Sequence, residues 1–356
     1  MSKPRSTATS TGKTKTIEPA VVAKALSAWF AVAARDLPWR RTRDPYAIWV
    51  SEIMLQQTRV ETVERYWDRF LERFPTIEAL ATADEQAVLE SWSGLGYYRR
   101  ARLLHRGARY LHDQGAETLP REAEALRAIP GVGRYTVGAI ASIAFDRPVP
   151  LVDGNVARVH SRLTAIEDPL LQDAKAEEHW RFVSAVLEHG SPRVLAQALM
   201  ELGATVCTPR NPSCGDCPLR AQCRAKAAGL QDRIPAVKRK QASPEHHFDA
   251  LALRRGDKLL LERRDREGLL AGLWCLPLFE RQVDAALAEV AGAALGVKLK
   301  LAEAPAKAVK HVFTHRVWHV HPWEASAGRT VRVRGREDGR ELAWVTVGEL
   351  PAGGVP

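Results

Sequence analysis

The apolar periodicity of this chain changes once, and the change decides what it can fold into. From Ile17 to about Lys226 apolar residues recur at helical spacing: Val60, Val63, Trp67, Phe70 and Phe74 fall on one face, and Val156, Val159 and Leu163 on another. Further on, "FDALALRRGDKLLLERRD" reads as two short apolar runs around a Gly-Asp turn, and "VKHVFTHRVWHVHPWEA" alternates with aromatic and β-branched residues, as a strand does. Between these regimes "AKAAGLQDRIPAVKRKQASP" is polar, basic and broken by proline, the composition of a connector. A chain of 356 residues, 46% of them hydrophobic, has material for two cores. The expected organisation is an all-α domain over residues 18–226, a linker over 227–245 and an α+β domain over 246–356. A polar basic stretch over 1–17, without an apolar face, is expected to be a disordered arm; a transit peptide is the alternative, although arginine is scarce there.

The formal net charge is +10, so the long-range field attracts a polyanion, either nucleic acid or an anionic membrane surface. No apolar run approaches the ~20 residues of a membrane span, and the N-terminus lacks a secretory apolar segment. A soluble intracellular protein is expected.

Four of the five cysteines, Cys207, Cys214, Cys217 and Cys223, are spaced C-x6-C-x2-C-x5-C. Four thiolates this close in sequence converge if the loop wraps an ion or a cluster; the spacing admits zinc and iron-sulfur alike. Arg210, Arg220, Arg224 and Lys226 face a single acid, Asp216, so the clasped loop can present cations to phosphates.

In "IPGVGRYTVGAI", residues 129–140, Pro130 ends one helix and another starts near Arg134. Gly131 and Gly133 let a ligand approach the backbone, and the first-turn N–H groups of the second helix make an anion site there; a tight turn between two packed helices is the plainer alternative. The turn lacks the lysine of a nucleotide P-loop and the preceding strand of a Rossmann fingerprint. With the positive charge and the basic cysteine loop, a DNA phosphate is the ligand that fits.

Two carboxylates complete the pattern. Glu52 sits among Val50, Ile53, Met54 and Leu55, where desolvation keeps a carboxylic acid protonated near neutrality unless the residue lies on a helix surface. Thr58 and Glu61 form a T-x-x-E pattern that predicts a helix start, placing Gln56 and Gln57 at the corner before it. Asp153, just before Gly154 and a helix, reads as an N-cap whose N–H bonds favour the ionised form. One acid and one carboxylate with separated pKa values is the arrangement that cleaves a glycosidic bond.

Taken together, "IPGVG", then "VDGNV" some twenty residues later, then the cysteine spacing, resemble the helix-hairpin-helix DNA glycosylases that carry a 4Fe-4S cluster. Within them "LPWR" (37–40), "SEIMLQQT" (51–58) and "GLGYYRRAR" (94–102) are similar to the adenine DNA glycosylases of the MutY type, which excise adenine mispaired with 8-oxoguanine. The match runs from about residue 20 to 350. The resemblance implies a multidomain chain: an all-α helix-hairpin-helix glycosylase domain whose 4Fe-4S cluster is held by Cys207, Cys214, Cys217 and Cys223, then an α+β Nudix-like domain. It implies that Glu52 protonates the flipped adenine and helps activate water, that Asp153 stabilises the sugar cation or attacks it, and that Tyr135 and Asn155 belong to the catalytic pocket. Arg40, Gln57, Tyr97, Gly131, Gly133 and Gln197 are implied to meet DNA or base. Of these, Gln57 and Tyr97 enter the duplex and Gln197 touches the adenine.

In the related endonuclease III group a lysine at the position of Tyr135 attacks the sugar. A phenol forms no Schiff base, and Arg134 is permanently protonated, so a monofunctional glycosylase leaving an abasic site is expected. Its implied partner is duplex DNA with an A:8-oxoguanine or A:G mispair, bound by a monomer in the cytoplasm, at the nucleoid. In the C-terminal part "GLLAGLWCLPLFE" is similar to an early Nudix segment, whereas "DAALAEVAGAALGV" lacks the R-E-x-x-E-E-x-G acids that hold magnesium, so no separate catalysis is expected. Phe313, Thr314 and His315 in "HVFTHRV" match the loop that senses 8-oxoguanine. The final "LPAGGVP" implies a shortened end to this domain.

Overall fold

The computed structural model describes residues 17–168, 176–236, 242–265, 268–281, 286–313, 315–326 and 340–349. The chain divides into two units, residues 1–238 and 239–356.

The first unit is helical throughout its described residues: α1 (Pro19–Ala33), α2 (Pro45–Leu55), α3 (Val60–Arg73), α4 (Ile77–Thr82), α5 (Glu85–Ser91), α6 (Arg99–Asp113), α7 (Ala123–Ala128), α8 (Arg134–Ile143), α9 (Gly154–Thr164), α10 (Ala176–Leu187), α11 (Pro192–Thr205) and α12 (Arg224–Ala227). Helix α2, "PYAIWVSEIML", is apolar around its whole circumference, so it is central; nine of its eleven residues are buried. Its start is fixed by Pro45 and by the Asp44 carboxylate, which accepts from the N–H groups of Tyr46 and Ala47. The surface helix α3 buries the expected stripe of Val63, Trp67 and Phe70 and leaves its charged residues outside. Trp67 Nε1 donates to the Ala47 carbonyl at 3.0 Å, tying α3 to α2. A second body of core joins α1, α9, α10 and α11 through Leu26, Val156, Val183 and Leu199.

Two expectations are corrected here. The Thr58–Glu61 pattern forms no capping box: Arg59 is the N-cap of α3 and makes no side-chain cap, because Thr58 Oγ1 is taken by Arg100 Nη2 at 2.9 Å. The expected connector also begins later than its composition suggests. Residues 227–236 stay on the helical unit, where Ile234 is buried, its carbonyl accepts from Arg162 Nε at 2.9 Å, and Ala236 N–H donates to the Glu167 carbonyl. The polar run is held by main-chain bonds that composition does not register. Residues 1–16 of the basic arm, and 237–241, lie outside the described residues.

The second unit is a mixed eight-stranded sheet among its described residues, with strands β1 (Glu245–Arg255), β2 (Lys258–Arg263), β3 (Trp274–Cys275), β4 (Leu278–Glu280), β5 (Lys300–Leu301), β6 (Val309–Val312), β7 (Val317–Ser326) and β8 (Leu342–Thr346), and one helix, α13 (Leu287–Leu295). The Gly-Asp turn joins β1 to β2 with Arg255 opposite Lys258. β1 runs parallel to β7 over ten residue pairs, and Leu251, Leu253 and Ala325 meet Ala291 and Leu295 of α13 in its core. The alternating run 309–325 forms two antiparallel strands, β6 and β7, and the loop between them carries Phe313 and His315. Thr314 and residues 350–356 lie outside the described residues.

Candidate active site and cluster loop

Four segments converge on one cavity of about 530 Å³: residues 35–40, helix α2 with the corner after it, the α8 side chain Tyr135 with Asp153–Asn155, and helix α11. Of the residues singled out in the sequence, Arg40, Glu52, Gln57, Tyr135, Asp153, Asn155 and Gln197 all line it. Gly131, Gly133 and Tyr97 lie elsewhere on the helical unit, and Phe313 and His315 on the other unit.

Glu52 is 4% exposed, and the Tyr135 hydroxyl donates to its Oε2 at 2.7 Å. Burial pushes the Glu52 carboxyl up to about 7; the Tyr135 bond opposes this and the charge of Asp153 adds to it. The phenol of Tyr135, buried beside two carboxyls, is raised well above its ordinary value and stays a donor; its oxygen is also 3.3 Å from Met200 Sδ. Asp153 is the N-cap of α9: it accepts from Val156 N–H at 2.8 Å and from Asn155 Nδ2 at 3.0 Å. These bonds and Arg158 favour its charge, yet burial outweighs them and its pKa rises, contrary to the direction expected from N-capping alone. Helix α11 presses directly on this turn, since a Cβ at Gly203 would lie 2.5 Å from that of Asn155.

The carboxylate held firmly anionic is Glu201, which sequence reasoning missed. Burial acts upward on it, but Arg35 and Arg40 outweigh burial with hydrogen bonds of 2.8 Å and hold it at about 2. Arg40 therefore borders the cavity with its guanidinium engaged by Glu201 and the Arg35 carbonyl. Gln197 is buried and donates to the Arg193 carbonyl at 3.0 Å.

Two candidate duplex contacts carry backbone strain. Gln57 has φ +58 and Tyr97 has φ +49, the left-handed region that L side chains rarely adopt, and Tyr97 is 48% exposed. Buried Arg100 braces both: it donates to the carbonyls of Ile53 and Met54 at 2.8 Å, to Thr58 Oγ1, and to the carbonyls of Leu95 and Gly96, while its guanidinium faces the Tyr97 ring at 5.4 Å. Tyr98, its neighbour, is core.

Across the α7–α8 turn, Gly131 and Gly133 do different things. Gly131 has φ +84, and a Cβ there would sit 2.7 Å from Leu103 Cβ; Gly133 is extended, and a Cβ there meets nothing within 4 Å. Gly133 is the N-cap of α8 and supplies no side-chain cap to its first-turn N–H groups, and exposed Arg134 beside it pairs with Glu177 and lies over the Trp180 ring. Phe313 packs against Trp318 at 5.1 Å between ring centroids, and His315 is exposed.

Cys207, Cys214, Cys217 and Cys223 form no disulfide and line one small cavity. Burial, and three neighbouring sulfurs, push the Cys217 thiol up to about 11, a mutual conflict that a cationic centre bound by thiolates removes. The donor set therefore fits a cluster. Two buried arginines hold the loop: Arg162 donates to the carbonyls of Thr208 and Pro209 and reaches Cys207 Sγ at 3.3 Å, and Arg158 donates to the Cys207 carbonyl and to Asn155 Oδ1, both at 2.8 Å.

Residues 207–223 match the iron-sulfur binding domain of endonuclease III, so these cysteines are the 4Fe-4S ligands. Residues 50–182 match the HhH-GPD superfamily of base excision DNA repair proteins, and 249–356 match the NUDIX domain. An adenine DNA glycosylase of Mycolicibacterium smegmatis is 42% identical over 58% of this chain and 69% of its own length. The chain belongs to the adenine DNA glycosylase family. The Arabidopsis thaliana member is 39% identical over 72% of this chain, which spans 48% of that protein; the rat and human members are spanned over 59% and 56% of their lengths. Among solved structures, a thermostable thymine-DNA glycosylase superposes with a TM-score of 0.55 at 27% identity, covering 59% of this chain and 97% of its own. No helix among the described residues is long and apolar enough to cross a membrane.

Proposed function

We propose that this chain is a monofunctional adenine DNA glycosylase that flips adenine out of a mispair with 8-oxoguanine or guanine and leaves an abasic site. The observation that carries the reading is Glu52, an acid poised near neutrality, in one cavity with Asp153. Glu52 delivers its proton to a ring nitrogen of the extruded adenine as the bond from that base to the sugar breaks and its electron pair leaves with the base. Tyr135 holds the Glu52 carboxyl in place, and Asp153, oriented by Asn155, faces the cationic sugar. Water then adds to the sugar and returns a proton to Glu52. Arg40 and Gln197 shape the wall against the base, Gln57 and Tyr97 enter the duplex as wedges, and the loop carrying Phe313, Thr314 and His315 reads the oxidised partner. The cluster, when bound, supplies iron–thiolate bonds that close loop 207–223 and its basic side chains toward phosphate.

Single-turnover release of adenine from duplexes with adenine opposite 8-oxoguanine, guanine or thymine tests this reading. Release is expected from the first two, and equal rates opposite thymine overturn the mispair assignment. Among the described residues no lysine lines the cavity, so borohydride is expected to trap no covalent protein–DNA adduct; an amine-linked adduct overturns the monofunctional assignment.

The two turn glycines separate fold from DNA grip. Gly131→Ala is expected to cost about 1–3 kcal/mol of stability in urea unfolding, from its backbone strain. Gly133→Ala should leave stability within about 0.5 kcal/mol, since its added methyl meets nothing, and weaken duplex binding, since it adds bulk beside the N–H groups proposed to take the phosphate.

A further inference from the structure

We propose that Glu245, His247 and His319, on the sheet of the C-terminal unit, form a binding site for one divalent first-row transition-metal ion, zinc above all. The site is separate from the catalytic reading above and does not depend on it.

The geometry comes from strand register. β1 and β7 pair in parallel with His247 directly opposite His319 and Glu245 opposite Val317. Successive side chains of a strand alternate faces, so 245 and 247 on β1 share a face with 319 on β7. One donor atom from each of the three lies within 4.8 Å of the others, and His319 Nε2 is 3.1 Å from Glu245 Oε2. The two imidazoles stack at 4.6 Å between centroids with their planes 10° apart. Around zinc at ~2.0–2.2 Å, tetrahedral ligand atoms lie about 3.3 Å from one another, a spacing that small side-chain rotations of exposed Glu245 and His247 supply.

Donor chemistry selects the ion. Two imidazoles and one carboxylate suit zinc, nickel or copper and do not suit calcium or magnesium, which take oxygen. The exposed side leaves a fourth position for water.

A surface ion pair between Glu245 and His319 accounts for two of the residues only. It leaves His247, whose ring nitrogens make no hydrogen bond among the described residues, stacked against a second imidazole for no electrostatic return. Further along the same face lies His321, 5.9 Å from the His247 ring, with a buried Nε2 that has no hydrogen-bond partner among the described residues. The opposing groups are Lys310, whose Nζ is 4.0 Å from Glu245 Oε1 on the exposed side, where it can swing into solvent when a cation binds, and Arg281, whose guanidinium is held 3.8 Å from Asp249. The bound ion would fasten the first residue of β1 to β7, three residues past the turn that follows Phe313.

The test uses the full chain with its iron-sulfur cluster in place, stripped of loosely held metal, and titrates it calorimetrically with zinc chloride while iron is counted. Uptake of one zinc per chain with iron retained is expected. His247→Asn, His319→Gln and Glu245→Gln should each lose that equivalent, whereas His112→Asn, an exposed position on α6, should keep it. Absence of uptake by the unaltered chain, undiminished uptake by the double variant His247→Asn/His319→Gln, or uptake matched by iron release overturns the assignment.

Discussion

Glu52→Gln is expected to lower single-turnover adenine release by roughly 10²–10⁴-fold while leaving the protein folded and able to bind the mispaired duplex. The amide fills the same space and can still accept from Tyr135, but it has no proton to give at the pH where the carboxyl does. The rate of the unaltered chain should fall as pH rises through about 7, because the acid must be protonated to act and burial sets its midpoint there. The same shift has a consequence for stability whose sign is opposite to that of a salt-bridged carboxylate. The folded pKa lies above the ordinary 4.5, so the contribution of this group is fully present below about 4.5 and is lost as pH rises through about 7. Glu52→Gln should therefore be more stable than the parent at pH 8, by up to about 3 kcal/mol, with the gap closing near pH 5. Urea unfolding at the two pH values measures it. A variant that releases adenine at the parental rate removes Glu52 from the chemistry; a stability gap that widens toward acid shows that the carboxyl is ionised in the fold.

The candidate site was legible in the sequence to the extent that it rests on local pattern. An acid inside an all-apolar helix announces its own desolvation, and four cysteines within seventeen residues announce a ligand. What did not show was any group defined by its long-range partners. Glu201 reads as one more acid on α11 until Arg35 and Arg40, more than 160 residues away in sequence, close on it. Asp153 shows why a local rule can give the wrong sign: N-cap hydrogen bonds are visible in the sequence, whereas the packing of α11 that dehydrates it is not. The Thr58–Glu61 pattern failed for the same reason, since a distant guanidinium outcompeted the helix N-terminus for the hydroxyl. The break between helical and strand periodicity, in contrast, depends on each segment alone, and it carried through to the two units.

Arg100→Met is expected to destabilise the helical unit by on the order of 3 kcal/mol and, independently of that loss, to abolish base extrusion. Burial lowers the Arg100 pKa to about 10, still charged at neutrality, and no carboxylate balances it among the hydrogen bonds it makes; the charge is spread over four carbonyls, one hydroxyl and the faces of Trp92 and Tyr97. Two of those carbonyls, from Ile53 and Met54, belong to the last turn of α2, where a cation is favourable and where no intrahelical donor remains. Methionine replaces the aliphatic stem but not the guanidinium and strands these acceptors in the interior. The functional loss has a different origin. The strained φ of Gln57 and Tyr97 persists only while their surroundings over-determine it, and Arg100 is the group bonded to both stretches of chain, 53–58 and 95–96. Without it both residues are expected to relax toward ordinary backbone and so to lose the position from which the proposed function has them enter the duplex. Arg100→Lys separates the effects: the ammonium keeps the charge but lacks the fork that reaches five acceptors, so stability should recover in part while a 2-aminopurine placed opposite 8-oxoguanine stays stacked and dark. Full fluorescence from that probe in the lysine variant would mean that Gln57 and Tyr97 hold their positions without the guanidinium.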